Sequence, residues 1–229
     1  MTTSASDIPA LDDLLTSAAR LQELVPDTVL VGGAAVAYRV RHRLSVDHDH
    51  VLSDLRDHFD IVLDALEQES DWVTNRAAYG KLILGELGGI ETGVRQLIRR
   101  HPLEVEEVTL PGGQTLRVPT VDETLRVKAF LIVKRNQTRD YLDVAALADR
   151  YGIAHAAEVL SGIDEFYADQ APEGGTVAAQ VLAQLADPRP RDEATTKRLS
   201  GYKGLAARWH DWNQVVSVCH AVADAMAVD

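Results

Sequence analysis

The chain has 229 residues, 46% of them apolar and 25% charged, which are ordinary values for a globular protein large enough for one big domain or two of similar size. No apolar run approaches the roughly 20 residues that span a bilayer, and the N-terminal MTTSASDIPALDDLL lacks the basic flank and apolar core of an export signal, so a cytoplasmic protein with no membrane partner is expected. A formal net charge of -12 argues against a surface that clings to nucleic acid throughout but leaves room for a local basic site, and the single Cys219 excludes an intramolecular disulfide.

Leu11, Leu14, Leu15, Ala18 and Leu21 recur at helical spacing, and Pro26-Asp27 stops the pattern, which predicts a first helix over 11–24. Thr28 to Val31 reads as a buried strand, Gly32-Gly33 as a tight turn and Ala34 to Val40 as a short helix. Leu44 to Leu52 alternates strictly, so Asp47 and Asp49 share one face of a strand while His48 and His50 share the other, as packing or partner-surface residues. A helix follows over 53–69, with Leu55, Phe59, Val62 and Leu66 on one stripe. Strands are predicted at 81–87 and 92–98, and a hairpin joins 103–110 to 114–118 around Pro111-Gly112-Gly113. Thr120-Val-Asp-Glu123 has the form of a capping box, and from there to the C-terminus only helices are expected, broken by short loops at 171–175 and 187–192. In the last of them Leu205, Trp209, Trp212, Val216, Cys219, Ala223 and Met226 form a seam expected to pack within the chain.

Chemistry concentrates in the first of these segments. Two aspartates at i and i+2 on a strand have backbones roughly 7 Å apart, so both side chains can reach one divalent ion, and Mg²⁺ or Mn²⁺ is held by such carboxylates together with substrate phosphates. Glycines at a strand-to-helix turn let backbone amides approach a phosphate at a helix N-terminus. Each piece alone is as readily a plain turn or a solvent face. Positive charge clusters nearby at Arg39, Arg41 and Arg43, and again at 95–100, 126–139 and 197–208, where solvated helix faces are the alternative. Lys128 falls inside an apolar helical run, where either an anion faces it or its ammonium reaches water past its own aliphatic stem. Asp140, in the first turn after Thr138, suits a helix N-terminus whatever the function.

The stretch VGGAAVAYRVRHRLSVDHDH resembles the first motif of the AbiEii/MenT-type nucleotidyltransferase toxins, in which a Gly-Gly turn precedes Arg-X-Ser-X-Asp-X-Asp. TVDETLRVKAFLIVKRNQTRDYLDVAAL resembles the same family's later helical motifs, a lysine within a helix and then an Arg-Asp pair followed by another Asp. The resemblance covers about fifty residues spread over about 120 of this chain and implies an α+β protein. Its first part, 1–118, would be a minimal polymerase-β-like nucleotidyltransferase domain, a mixed sheet with flanking helices, and an all-helical C-terminal domain, 119–229, would complete the active site. It further implies metal ligation by Asp47 and Asp49, with Ser45 beside them, and catalytic parts for Lys128 and Asp140. Gly32, Gly33, Arg39, Arg43 and Arg139 would bind substrate. The implied reaction moves a nucleoside monophosphate from an NTP to an RNA acceptor, the tRNA 3′ end, and a toxin of this kind implies a cognate antitoxin, for which a kinase modifying Ser45 is one form. The alternatives are a nucleotidyltransferase for a small, aminoglycoside-like molecule and an inactive fold kept as a binding module. One departure stands out: where a third carboxylate would be sought, on the strand Thr92 to Ile98, there is no acid, and only Glu91 and Glu104 lie nearby in sequence.

Overall fold

The computed structural model describes residues 10–171, 173–202 and 204–228. They fall into two compact units that are not separated by a single cut. Of the described residues, those within 10–38, 44–98 and 104–120 form one, and those within 39–43, 99–103 and 121–228 form the other.

The first unit contains helices α1 (Leu11–Leu24), α2 (Gly32–Val40, whose last residues fall in the second unit) and α3 (Phe59–Glu67). Its strands are β1 (Val29–Val31), β2 (Asp47–Leu52), β3 (Trp72–Ala78), β4 (Leu82–Leu87), β5 (Ile90–Gln96), β6 (Val105–Thr109) and β7 (Thr115–Pro119). Five strands make a mixed sheet in the order β1-β2-β5-β4-β3, in which β2 and β5 run parallel and the other pairs antiparallel; β6 and β7 form a separate hairpin. Two apolar clusters stabilise it. Leu21, Leu52, Leu55, Phe59, Val62, Leu66, Trp72, Ile83, Leu87 and Val94 form one, joining α3 to the sheet; Leu14, Leu15, Ala18, Leu30, Ala34, Ala35, Leu116 and Val118 form the other, joining α1 and α2 to the hairpin.

Several expectations shift here. α1 occupies the residues its periodicity predicts, whereas β2 starts at Asp47 and not at Leu44. β1 is three residues long and pairs only with Asp49 to Val51, and the Ser45 hydroxyl turns back to the Asp47 carbonyl at 3.2 Å, a local bond that competes with a ladder. α3 starts at Phe59 because the preceding residues close a turn through the Asp54 carbonyl, although Leu55 still reaches the core. β3 has no counterpart in the sequence reading: it is an edge strand, mostly exposed and polar, with a register shift between Thr74 and Arg76 that erases alternation.

The described residues of the second unit beyond Thr120 are helical or loop: α4 (Val121–Arg135), α5 (Thr138–Tyr151), α6 (Ile153–Ser161), α7 (Asp164–Tyr167), α8 (Val177–Ala186), α9 (Glu193–Thr196) and α10 (Trp212–Met226). α10 packs on α5, α6 and α8 and buries Cys219, Ala223 and Met226 of the expected seam, but Trp212 and Val216 are only half-buried and Val215 and Val222 are buried instead, so the buried stripe is internal but rotated from the one expected. Leu205 and Trp209 are buried too, but they precede α10, whose start is capped by the Asp211 carboxylate. The breaks at 171–175 and 187–192 are loops, with Pro172 outside the described residues.

Candidate active site

The alternation of β2 divides its side chains as the sequence predicts. Asp47 is exposed and Asp49 partly so, while His48 and His50 are fully buried on the other face. There His48 Nδ1 lies 3.0 Å from His50 Nε2 and 2.9 Å from the Thr92 hydroxyl, and His48 Nε2 lies 3.1 Å from the Ser17 hydroxyl. Burial pushes His48 down to about 4 and His50 well below its ordinary value, so both are neutral packing residues.

The carboxylate face meets the glycines. β1 pairs Val31 with Asp49, which places the next residue, Gly32, against the Asp49 side chain. A Cβ built on Gly32 would stand 3.5 Å from Asp49 Oδ2, a distance any side chain tolerates; what demands glycine is the backbone, at a φ of +75°. Gly32 and Gly33 are the first residues of α2 and not a turn ahead of it, so amides at a helix N-terminus adjoin Asp49. Ser45, only 4% exposed, brings its hydroxyl within 3.4 Å of Asp47 Oδ1.

On the neighbouring strand β5, Glu91 is level with Asp47 and Gly93 with Asp49. A Cβ at 93 would lie 2.5 Å from Leu84 Cδ2, the end of a side chain that can turn away, and 3.1 Å from the Ile83 carbonyl oxygen, so a side chain there requires both neighbours to yield. The position opposite Asp49 on β5 is thus a glycine and holds no acid. Among the described residues no group of three or more His, Cys, Asp or Glu side chains is placed to hold a metal ion.

The second unit gathers a buried ionic cluster around Asp143. Arg43 grips this carboxylate through Nε (2.8 Å) and Nη2 (3.0 Å), Lys128 Nζ reaches it at 2.8 Å and His42 Nε2 at 2.7 Å. Burial works to raise the Asp143 pKa, but Arg43, Lys128 and His42 overcome it and hold the group well below the usual carboxylate range; burial likewise lowers His42 against the pull of Asp143. The Lys128 side chain is 2% exposed, so the anion that faces it here is Asp143, and the snorkelling alternative does not hold. Arg43 is similarly enclosed, whereas Arg139 is exposed and Arg39 half-buried. Asp140, fully buried, is gripped separately by Arg135 through two bonds of 2.6 Å.

Sequence reasoning assigned neither His42 nor Arg135 a part. His42 carries no signal in a single chain, since its partner is about a hundred residues away, but an Arg five residues before a buried Asp across a helix break is a recognisable pairing. A second cluster also escaped it: Glu123, inside the expected capping box, pairs with Arg99 at 2.8 Å and with Arg126 at 3.3 Å, and Arg126 stacks over Phe166.

Residues 13–216 match the family described as nucleotidyl transferase AbiEii toxin of type IV toxin–antitoxin systems. Among solved structures, the nucleotidyltransferase toxin MenT4 of Mycobacterium tuberculosis superposes with a TM-score of 0.53 at 18% identity, covering 93% of this chain and 83% of that one. An antigenic nucleotidyltransferase-like protein from Paracoccidioides brasiliensis superposes with a TM-score of 0.51 at 17% identity, covering 91% and 99%. These likenesses establish the fold. Curated relatives include the heme uptake protein MmpL11 of Mycobacterium tuberculosis, 33% identical over 97% of this chain, and the mycolic acid-containing lipids exporter MmpL11 of Mycolicibacterium smegmatis, 32% identical over 95%. The chain spans about a quarter of their length, 24% and 22% respectively, and among its own described residues no helix is long and apolar enough to cross a membrane. With the family match covering most of its length, this chain belongs to the AbiEii/MenT-type nucleotidyltransferase toxins of toxin–antitoxin systems.

Proposed function

We propose that this nucleotidyltransferase transfers a nucleoside monophosphate from an NTP to an RNA acceptor, the 3′ end of tRNA, with release of pyrophosphate. The observation that carries the reading is the apposition of Gly32 to Asp49, which sets one carboxylate, with Asp47 on the same strand face, beside a glycine-opened helix N-terminus. Asp47 and Asp49 fit Mg²⁺ or Mn²⁺, because such an ion takes one or two carboxylates and draws its other ligands from phosphates and water, and so needs no all-protein cage. When bound, the ion neutralises charge at the reacting phosphate. The amides of Gly32 and Gly33 would hold the phosphates.

Lys128 would supply positive charge to the triphosphate. It shares its carboxylate with Arg43 and His42, so it is incompletely neutralised, the state in which a buried ammonium attracts an anion. In this reading Asp143 positions Lys128 and Asp140 acts through Arg135, with Arg139 on the exposed surface available to the acceptor. Membership of the family implies a cognate antitoxin. A kinase antitoxin acting on Ser45 is one form: phosphate there would add about two negative charges beside Asp47 and repel the incoming triphosphate.

Purified protein with Mg²⁺, labelled NTPs and total tRNA should give labelled tRNA, and Asp47→Ala should give none. Labelling of a small aminoglycoside in place of RNA would move the acceptor to the alternative class, and no labelling of anything would defeat the catalytic reading. Ser45→Asp should be inactive; full activity in that variant would dispose of the regulatory part.

A further inference from the structure

Asp49 already has a cation on it. Arg95 Nε donates to Asp49 Oδ1 at 3.3 Å, from a side chain 44% exposed, while Asp49 Oδ2 faces Gly32. The placement follows from the register of β5: Gly93, level with Asp49, has no side chain to fill the space beside it, and the next residue on that face, Arg95, level with Val51 on one side and Leu82 on the other, reaches back to the carboxylate. Among the described residues no hydrogen bond or ion pair engages the two terminal nitrogens of Arg95, so its outer donors point to no protein partner.

A guanidinium and a divalent ion cannot both use Oδ1 at full strength, because each needs the same lone pairs and the two cations repel. A triphosphate changes the balance, since its oxygens offer the guanidinium a more highly charged acceptor close by. We propose that Arg95 is the resident counter-cation of the carboxylate pair: it occupies Asp49 in the empty enzyme and transfers its hydrogen bonds to the phosphates of the metal–nucleotide when that complex enters. Arg95 is then a specificity element for a polyphosphate substrate, restraining metal binding until nucleotide arrives. The inference rests on the reading of Asp47 and Asp49 as metal ligands.

The two effects have opposite signs, which a scaffolding residue would not produce. Mn²⁺ titrations of the nucleotide-free protein, followed by electron paramagnetic resonance, should show binding tightened about five- to tenfold in Arg95→Ala, the size expected on removing a half-exposed unit charge near a divalent ion. In steady-state assays at saturating Mn²⁺ the same variant should raise the KM for NTP by about tenfold, with most of it recovered in Arg95→Lys. Unchanged or weaker Mn²⁺ binding in Arg95→Ala, or an unchanged KM, overturns the proposal. Failure of the underlying reading looks different: wild type, Arg95→Ala and Asp49→Asn would then all take up the same negligible Mn²⁺.

Discussion

Asp143 and Asp140 sit three residues apart on one helix, both fully buried, yet they are held differently. Asp143 compensates Arg43 and Lys128, which are themselves enclosed, so its removal strands cations in a low-dielectric interior; Asp140 faces Arg135, which is 32% exposed and can turn to water. Asp143→Ala is therefore expected to destabilise the protein by about 3–5 kcal/mol and Asp140→Ala by clearly less, as read from urea unfolding midpoints. Equal losses would show that Arg43 and Lys128 find other partners when Asp143 is gone. The sequence pointed to both acids through their motif but could not rank them, because the ranking depends on Arg43, a residue a hundred positions away.

Among the elements, β2 has the strongest consequences, since one strand presents acids on one face and a neutral histidine pair on the other. His48 is depressed to about 4 by burial, below its ordinary 6.5, and His50 further still. Between those values the unfolded chain binds protons that the folded chain refuses, so stability falls as pH drops from about 6.5 to 4 and is level above about 7. His48 alone accounts for roughly 3 kcal/mol over that window at about 1.4 kcal/mol per pH unit. Buried Asp143, held low, contributes in the same sense but only below the ordinary carboxylate range, so the window between about 6.5 and 4 reports the histidines. Denaturant unfolding at stepped pH should trace this slope, and a flat profile would mean that water reaches the pair. The alternation that sorts these four residues was readable in the sequence, whereas edge strand β3 was not, its polar, bulged course carrying no period.

At the scale of the whole molecule, the absence of any protein cage for a metal among the described residues separates activity from stability. Chelation by EDTA is expected to abolish NMP transfer while leaving the melting temperature within about 2 °C, because an ion held by two carboxylates and substrate adds little to folding without nucleotide. A large drop in melting temperature would reveal a structural metal. The distribution of charge bears on the acceptor as well. Most Lys and Arg residues fall in the second unit while acids are shared between both, so the negative charge of the chain concentrates in the unit that holds Asp47 and Asp49. If the proposed RNA acceptor is the substrate, backbone contacts to it are expected from the helical unit, through exposed residues such as Arg139, since Arg43, Arg99, Arg126 and Lys128 are spent on internal pairs.

The sequence by itself determined the local features: the strand–glycine–helix opening, the shared face of Asp47 and Asp49 opposite His48 and His50, the hairpin and the run of helices after Thr120. Each follows from a period or a backbone preference confined to a few neighbouring residues. Only the tertiary structure decided which ions meet. Asp143 with His42, Arg43 and Lys128, Glu123 with Arg99, and Arg95 with Asp49 are joined by strand register and helix packing, and a buried charge selects its partner by proximity in space, which spacing along the chain does not encode.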